Sequence, residues 1–164
     1  MKIQLYLRTL QRNYLPESEW EHIQALVDTN SLGIQDIMMK VVLSGKQTDT
    51  VIVEDVMEPL IQNLCLHASK ELLLGNDYTY HYWSYDRTMY MKIKGEKVLL
   101  EDDLLPPTLF LKDPLIEQLL LVAQSTMNLM KKLKKAHPAY NFSAYDYFQQ
   151  MLGECLVLKE QDTN

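Results

Sequence analysis

Apolar and polar residues alternate at the start of the chain, where Ile3, Leu5 and Leu7 interleave with Lys2, Gln4, Tyr6 and Arg8. A period of two puts such residues on opposite faces of an extended strand, so residues 2–8 read as a half-buried strand. This stretch has no long apolar run and no small-residue cleavage site, so it is not expected to be a secretory leader. In "LPESEWEHIQALVDTN" the period changes. Pro16 suits a first helical turn, acidic residues follow it, and Trp20, Ile23 and Val27 recur at helical spacing towards Asn30. Alternation returns at residues 36–44, with Ile37, Met39, Val41 and Leu43 on one face. It continues in "TVIVE" beyond the turn "GKQTDT", which together make a hairpin.

A long helix is expected after Asp55. Glu58 and Pro59 sit in its first turn, Met57, Leu60, Ile61, Leu64, Ala68 and Leu72 form its apolar face, and Gly75 is its stop. A meander follows: a tyrosine-rich strand over residues 78–85, a turn at Asp86 and Arg87, a strand from Met89 to Lys94, the turn "KGEK" and the strand "VLLE". "DDLLPPTLFLKD" reads as a surface loop, because the adjacent Pro106 and Pro107 interrupt a ladder. Asp113 and Pro114 cap and start a helix that runs to about Ala136 and is apolar nearly all round. "FSAYDYFQQMLG" reads as a last helix with Ser143 as cap, Asp146 completing a capping box and Gly153 as stop, and "ECLVLKE" as a short final strand. Hairpins dominate and helices segregate. The expected class is α+β, with one mostly antiparallel sheet of about five to seven strands, about four helices, and helix 114–136 buried at the centre.

At 164 residues the chain fits a single domain, 1–164, with 160–164 as a disordered tail. An apolar fraction of 47% and a charged fraction of 23% place it among soluble globular proteins, and no apolar run is long enough to span a bilayer. Two cysteines, Cys65 and Cys155, are too few for a disulfide framework and read as reduced thiols of a cytoplasmic protein. The net charge of −6 tells against nucleic-acid binding and favours a basic protein partner. The one basic run, residues 131–135, falls in the last turns of a helix, where lysines complement the dipole.

The densest concentration of candidate chemistry is "NDYTYHYWSYDRTMY", which holds five of the chain's ten tyrosines and one of its two tryptophans. On a strand, Tyr78, Tyr80 and Tyr82 point one way, and His81, Trp83 and Tyr85 the other. The Met89, Met91 and Ile93 face of the next strand reads as buried and the Tyr90, Lys92 and Lys94 face as wet, so one side of the tyrosine strand carries rings to solvent. Exposed tyrosines favour interfaces, since they offer large contact area at low entropic cost. Asp86, Glu101, Asp102 and Asp103 form an acidic edge suited to steering a basic partner, and Asp49, Glu54 and Asp55 form a second acidic corner. The histidines His22, His67, His81 and His137 fall on separate elements with no metal-ligand spacing, and Cys65 and His67 point apart on one helix. All five glycines serve turns or helix stops, so no phosphate loop is present, and neither cofactor nor metal is expected.

The blocks "VIVEDVMEPLIQNLCLHASKELLLG" and "YTYHYWSYDRTMYMKIKGEKVLLED", about a third of the chain, combine a helix with a meander rich in aromatic and acidic residues. In this style the chain resembles the immunity proteins of bacterial contact-dependent inhibition and polymorphic toxin systems. That resemblance implies a non-enzymatic protein that blocks a toxin, often a basic nuclease, by covering its active site. It carries over no individual residue. The contact residues expected from the sequence are Tyr78, Tyr80, His81, Tyr82, Trp83, Tyr85, Asp86, Glu101, Asp102 and Asp103. The alternatives are a small-ligand binder or enzyme with a pocket around His81 and Trp83, and a homodimer formed through the tyrosine face.

Overall fold

Two four-stranded antiparallel sheets, rather than one, carry the strands of the computed structural model, which describes residues 2–8, 14–18, 37–44, 50–136, 138, 142 and 144–162. The first sheet contains β1 (Lys2–Arg8), β2 (Tyr14–Pro16), β3 (Met38–Ser44) and β4 (Thr50–Val56) in the order β2-β1-β3-β4. The period-two pattern holds: Leu5, Leu7, Met39, Val41, Leu43, Val51 and Val53 are all buried. Pro16 closes a strand, and residues 17 and 18 after it form a 3-10 turn. The proline pairs with Tyr6 at the end of the edge strand β2, where a missing N–H can face away from the ladder. Most of the helix expected up to Asn30, and the turn at 45–49, lie outside the described residues.

The helix after Asp55 forms where its apolar spacing places it. This α1 begins as Met57–Pro59, continues as a π-helical segment Leu60–His67 and ends as Ala68–Leu73. Gly75 takes φ +81°, and the N–H groups of Gly75 and Asn76 donate back to Leu72 and Glu71, so the glycine stops the helix as expected. No residue between 57 and 73 is exposed. The central place expected of helix 114–136 therefore belongs to α1. The later helix, α2 (Lys112–Ala136), is amphipathic, with Glu117, Leu121, Gln124, Asn128 and Lys131 forming an exposed stripe at helical spacing.

The second sheet contains β5 (Tyr78–His81), β6 (Thr88–Lys94), β7 (Lys97–Asp102) and β8 (Leu105–Leu111) in sequence order. β8 replaces the loop expected at the double proline. It is an edge strand, and Pro106 and Pro107 lie where its register with β7 shifts between Leu100 and Asp102, so neither need donate to a regular ladder. The last helix, α3 (Tyr145–Asp162), runs straight through Gly153, and the expected final strand is part of it, as are residues 160–162 of the expected tail. Three helices thus stand among the described residues. Ser143 lies outside the described residues.

Both sheets and all three helices contribute to one continuous apolar core. No helix among the described residues is long and apolar enough to cross a membrane. A Cβ built on the exposed, helical Gly153 meets nothing. Gly153→Ala is accordingly expected to raise the unfolding free energy by about 0.5–1 kcal/mol, since glycine loses the most backbone entropy in a helix interior. A urea midpoint that falls on this substitution would show that the position is not ordinary helix.

Candidate functional site

The register of β5 against β6 sets Tyr78 opposite Met91 and Tyr80 opposite Met89, which turns the tyrosine face of β5 inward with the methionines. Tyr80 is fully buried and Tyr82 nearly so, whereas Thr79 and His81 face solvent. The strand then ends. Residues 82–87 form a loop, closed by the Tyr82 N–H donating to the Arg87 carbonyl at 3.1 Å and the Arg87 N–H to the Tyr85 carbonyl at 2.9 Å. The Tyr80 and Tyr82 rings meet edge to face at 4.9 Å, and Tyr85 stands 6.4 Å beyond Tyr82.

Two carboxylates hold this loop. Asp55, the penultimate residue of β4, is completely buried. Its Oδ1 accepts from the Val56 N–H (2.8 Å), the Ser84 N–H (2.9 Å) and the Ser84 hydroxyl (2.8 Å). Its Oδ2 accepts from the Tyr80 hydroxyl (2.6 Å) and the Trp83 N–H (2.7 Å). All of these donors are neutral, so the buried charge is solvated by a preformed cage of dipoles. Asp102, at the end of β7, has a side chain only 3% exposed. It accepts from Arg87 Nε (2.6 Å), the Tyr82 hydroxyl (2.9 Å) and the Leu104 N–H (3.0 Å), with Arg87 Nη2 at 2.5 Å. The Arg87 guanidinium also lies 5.0 Å above the Tyr82 ring.

Burial, reinforced by the bond to Asp55, pushes the Tyr80 hydroxyl far above the usual tyrosine range, and burial together with the Asp102 charge does the same to Tyr82. Burial and Glu71 raise Tyr78 to about 12. Because these folded values lie above the unfolded one near 10, the stability they contribute is complete below that pH and is lost as the pH climbs past it. In an alkaline titration followed by phenolate absorbance, these tyrosines should ionise only together with loss of the native circular dichroism. Their ionisation in an intact fold near pH 10 would contradict the buried network.

The expected contact residues therefore divide. Tyr80, Tyr82 and Asp102 are interior and offer a partner no surface, and Tyr78 is half-buried. Glu101 is half-buried and paired with Lys92. His81, Trp83, Tyr85, Asp86 and Asp103 are exposed. Trp83 is 73% exposed and Tyr85 47%, and they are joined by two residues the sequence reading passed over, Leu104 at 75% and Ile52 at 45%. Asp55, read only as part of an acidic corner, proves to be the anchor. Its sequence signal was a carboxylate on the inward face of the two-residue alternation, in phase with Val51 and Val53.

Beside the loop lies a cleft of about 780 Å³, with Ile52 and Glu54 of β4 on one side and residues 84–87, Leu104 and Leu105 on the other. His81 and Trp83 do not line it. His81 Nδ1 is 3.2 Å from the Thr88 hydroxyl, and His67 Nε2 is 2.7 Å from the Tyr147 hydroxyl. His22 and His137 lie outside the described residues, as does Asp49. Cys65 and Cys155 are free and buried, and burial raises both thiols, Cys155 to about 11, which keeps them protonated at neutral pH. No group of three or more His, Cys, Asp or Glu among the described residues could hold a metal ion. No protein-family model matches the chain, and no curated protein or solved structure shows significant similarity to it.

Proposed function

We propose that the protein is a non-enzymatic binding module that docks another protein through the face made by Trp83, Tyr85, Leu104 and Ile52, rimmed by Asp86, Asp103 and Glu54. The observation that carries this reading is Trp83. The residue is 73% exposed while its own amide is fixed to a buried carboxylate. Holding a large apolar ring in water costs free energy, and fixing its backbone lowers the entropy lost when a partner covers it. The acidic rim and the net charge of −6 suit a basic partner. The sharpest form of the proposal is a cytoplasmic immunity protein that neutralises a basic toxin, such as a nuclease.

A test compares the native chain with Trp83→Ala/Leu104→Ala, two surface changes that spare the buried network, in affinity capture from native cells. The proposal expects one stoichiometric basic partner, whose activity the native chain blocks, and at least about tenfold weaker capture by a variant of unchanged stability. Equal capture by both forms would overturn this assignment of the surface. Capture of nothing but the chain itself, with doubled mass in solution, would replace the module with a homodimer.

A further inference from the structure

The cleft beside the aromatic loop is bordered by β4, an edge strand among the described residues, and the orientation of that edge can be read from the ladder. The Met57 N–H donates to the Ile37 carbonyl at 2.8 Å, in the register that sets Val56 opposite Met38. In an antiparallel ladder, hydrogen-bonded and non-bonded pairs alternate. The amide groups of Val51, Val53 and Asp55 therefore turn towards β3, and those of Ile52 and Glu54 turn outward. Among the described residues no strand pairs with this outer edge. The other sheet edges are blunted: β2 has 3 residues and ends in Pro16, β5 has 4 residues, and β8 carries Pro106 and Pro107. β4 has 7 residues and no proline.

The charges at the cleft are unbalanced. The guanidinium of Arg87 is taken up by Asp102 at 2.5 Å, while Arg8 reaches Glu54 only at 3.9 Å and Asp86 is exposed. Apolar contact is offered by Ile52, Tyr85 and Leu104.

We infer that β4 receives an extended, basic segment of the partner protein as an added strand. The backbone of the segment bonds to Ile52 and Glu54, its aliphatic side chains pack on Ile52, Tyr85 and Leu104, and its cations face Glu54 and Asp86. In such strand addition, main-chain bonds supply affinity and alternate side chains supply specificity. The inference rests on the protein-binding reading and narrows the partner to one that presents an extended, positively charged segment.

Calorimetric titration of the full chain tests it, with a capped peptide of about eight residues alternating lysine and leucine as the probe. Three controls accompany it: the same peptide N-methylated at its leucine amides, the same peptide N-methylated at its lysine amides, and a glutamate–leucine version. The expected result is binding of the unmodified lysine peptide, with at least about tenfold weakening in one methylated form, in the acidic peptide and in Ile52→Pro. Failure of the lysine peptide to bind, or equal binding of both methylated forms, would overturn strand addition. The methylated peptides probe the native chain and so decide the matter even if Ile52→Pro does not fold. Loss of partner capture in Trp83→Ala/Leu104→Ala alongside undiminished capture by folded Ile52→Pro would discard strand addition and keep the docking face.

Discussion

Asp55→Ala is expected to lower the unfolding free energy by about 3–5 kcal/mol, the largest effect of any single change at the site. The substitution removes the acceptor for the Tyr80 and Ser84 hydroxyls and for the Val56, Trp83 and Ser84 amides. Water entering the vacated space can satisfy only some of them. Asp55→Asn keeps the shape but should still cost about 2 kcal/mol. Whichever way its amide is turned, the NH2 group confronts a backbone N–H, that of Trp83 on one side or those of Ser84 and Val56 on the other. Urea unfolding followed by circular dichroism provides the check. A loss below about 1 kcal/mol for Asp55→Ala would mean that the cage contributes little.

Arg87→Ala is expected to cost about 3 kcal/mol, because it leaves the Asp102 carboxylate, 3% exposed, without its cation. Breaking a buried ion pair from one side is dearer than removing it whole. The joint replacement Arg87→Met/Asp102→Leu should therefore be less destabilising than the sum of the two single changes. A double-mutant cycle in urea measures the coupling, which should reach about 1–3 kcal/mol. Coupling near zero would show that the contact is only geometric.

The elements legible from sequence are those specified by local pattern. β1, β3, β4 and β6 follow two-residue alternation, and α1 follows its apolar face to a glycine that needs positive φ. What escaped notice depends on neighbours remote in sequence. Pro106 and Pro107 forbid a central strand but not an edge strand with a shifted register, and only the pairing with β7 distinguishes the two. Gly153 resembles a stop, yet the packing of α3 carries the helix past it, because helix propensity is a weak term beside tertiary burial. One sheet could not be told from two, since strand pairing is non-local.

The site was legible in outline. The aromatic stretch marked the right segment, but which rings face outward depends on the register of β5 and β6. The carboxylate that turns Tyr80 inward lies 25 residues away from it. The acidic edge likewise resolved into a surface rim at Asp86 and Asp103 and an internal strut at Asp102, a difference set by where Arg87 comes to rest.

The central claim is that Trp83 is presented to solvent by a loop locked from below. Amide hydrogen exchange tests it most directly. The Trp83 and Ser84 amides belong to exposed residues on a loop, yet both are bonded to a buried carboxylate. They should exchange at least about a hundredfold more slowly than in an unstructured peptide and lose that protection in Asp55→Ala. Exchange of both amides at close to the unstructured rate in the native chain would contradict the account, leaving Trp83 on a loop that nothing holds.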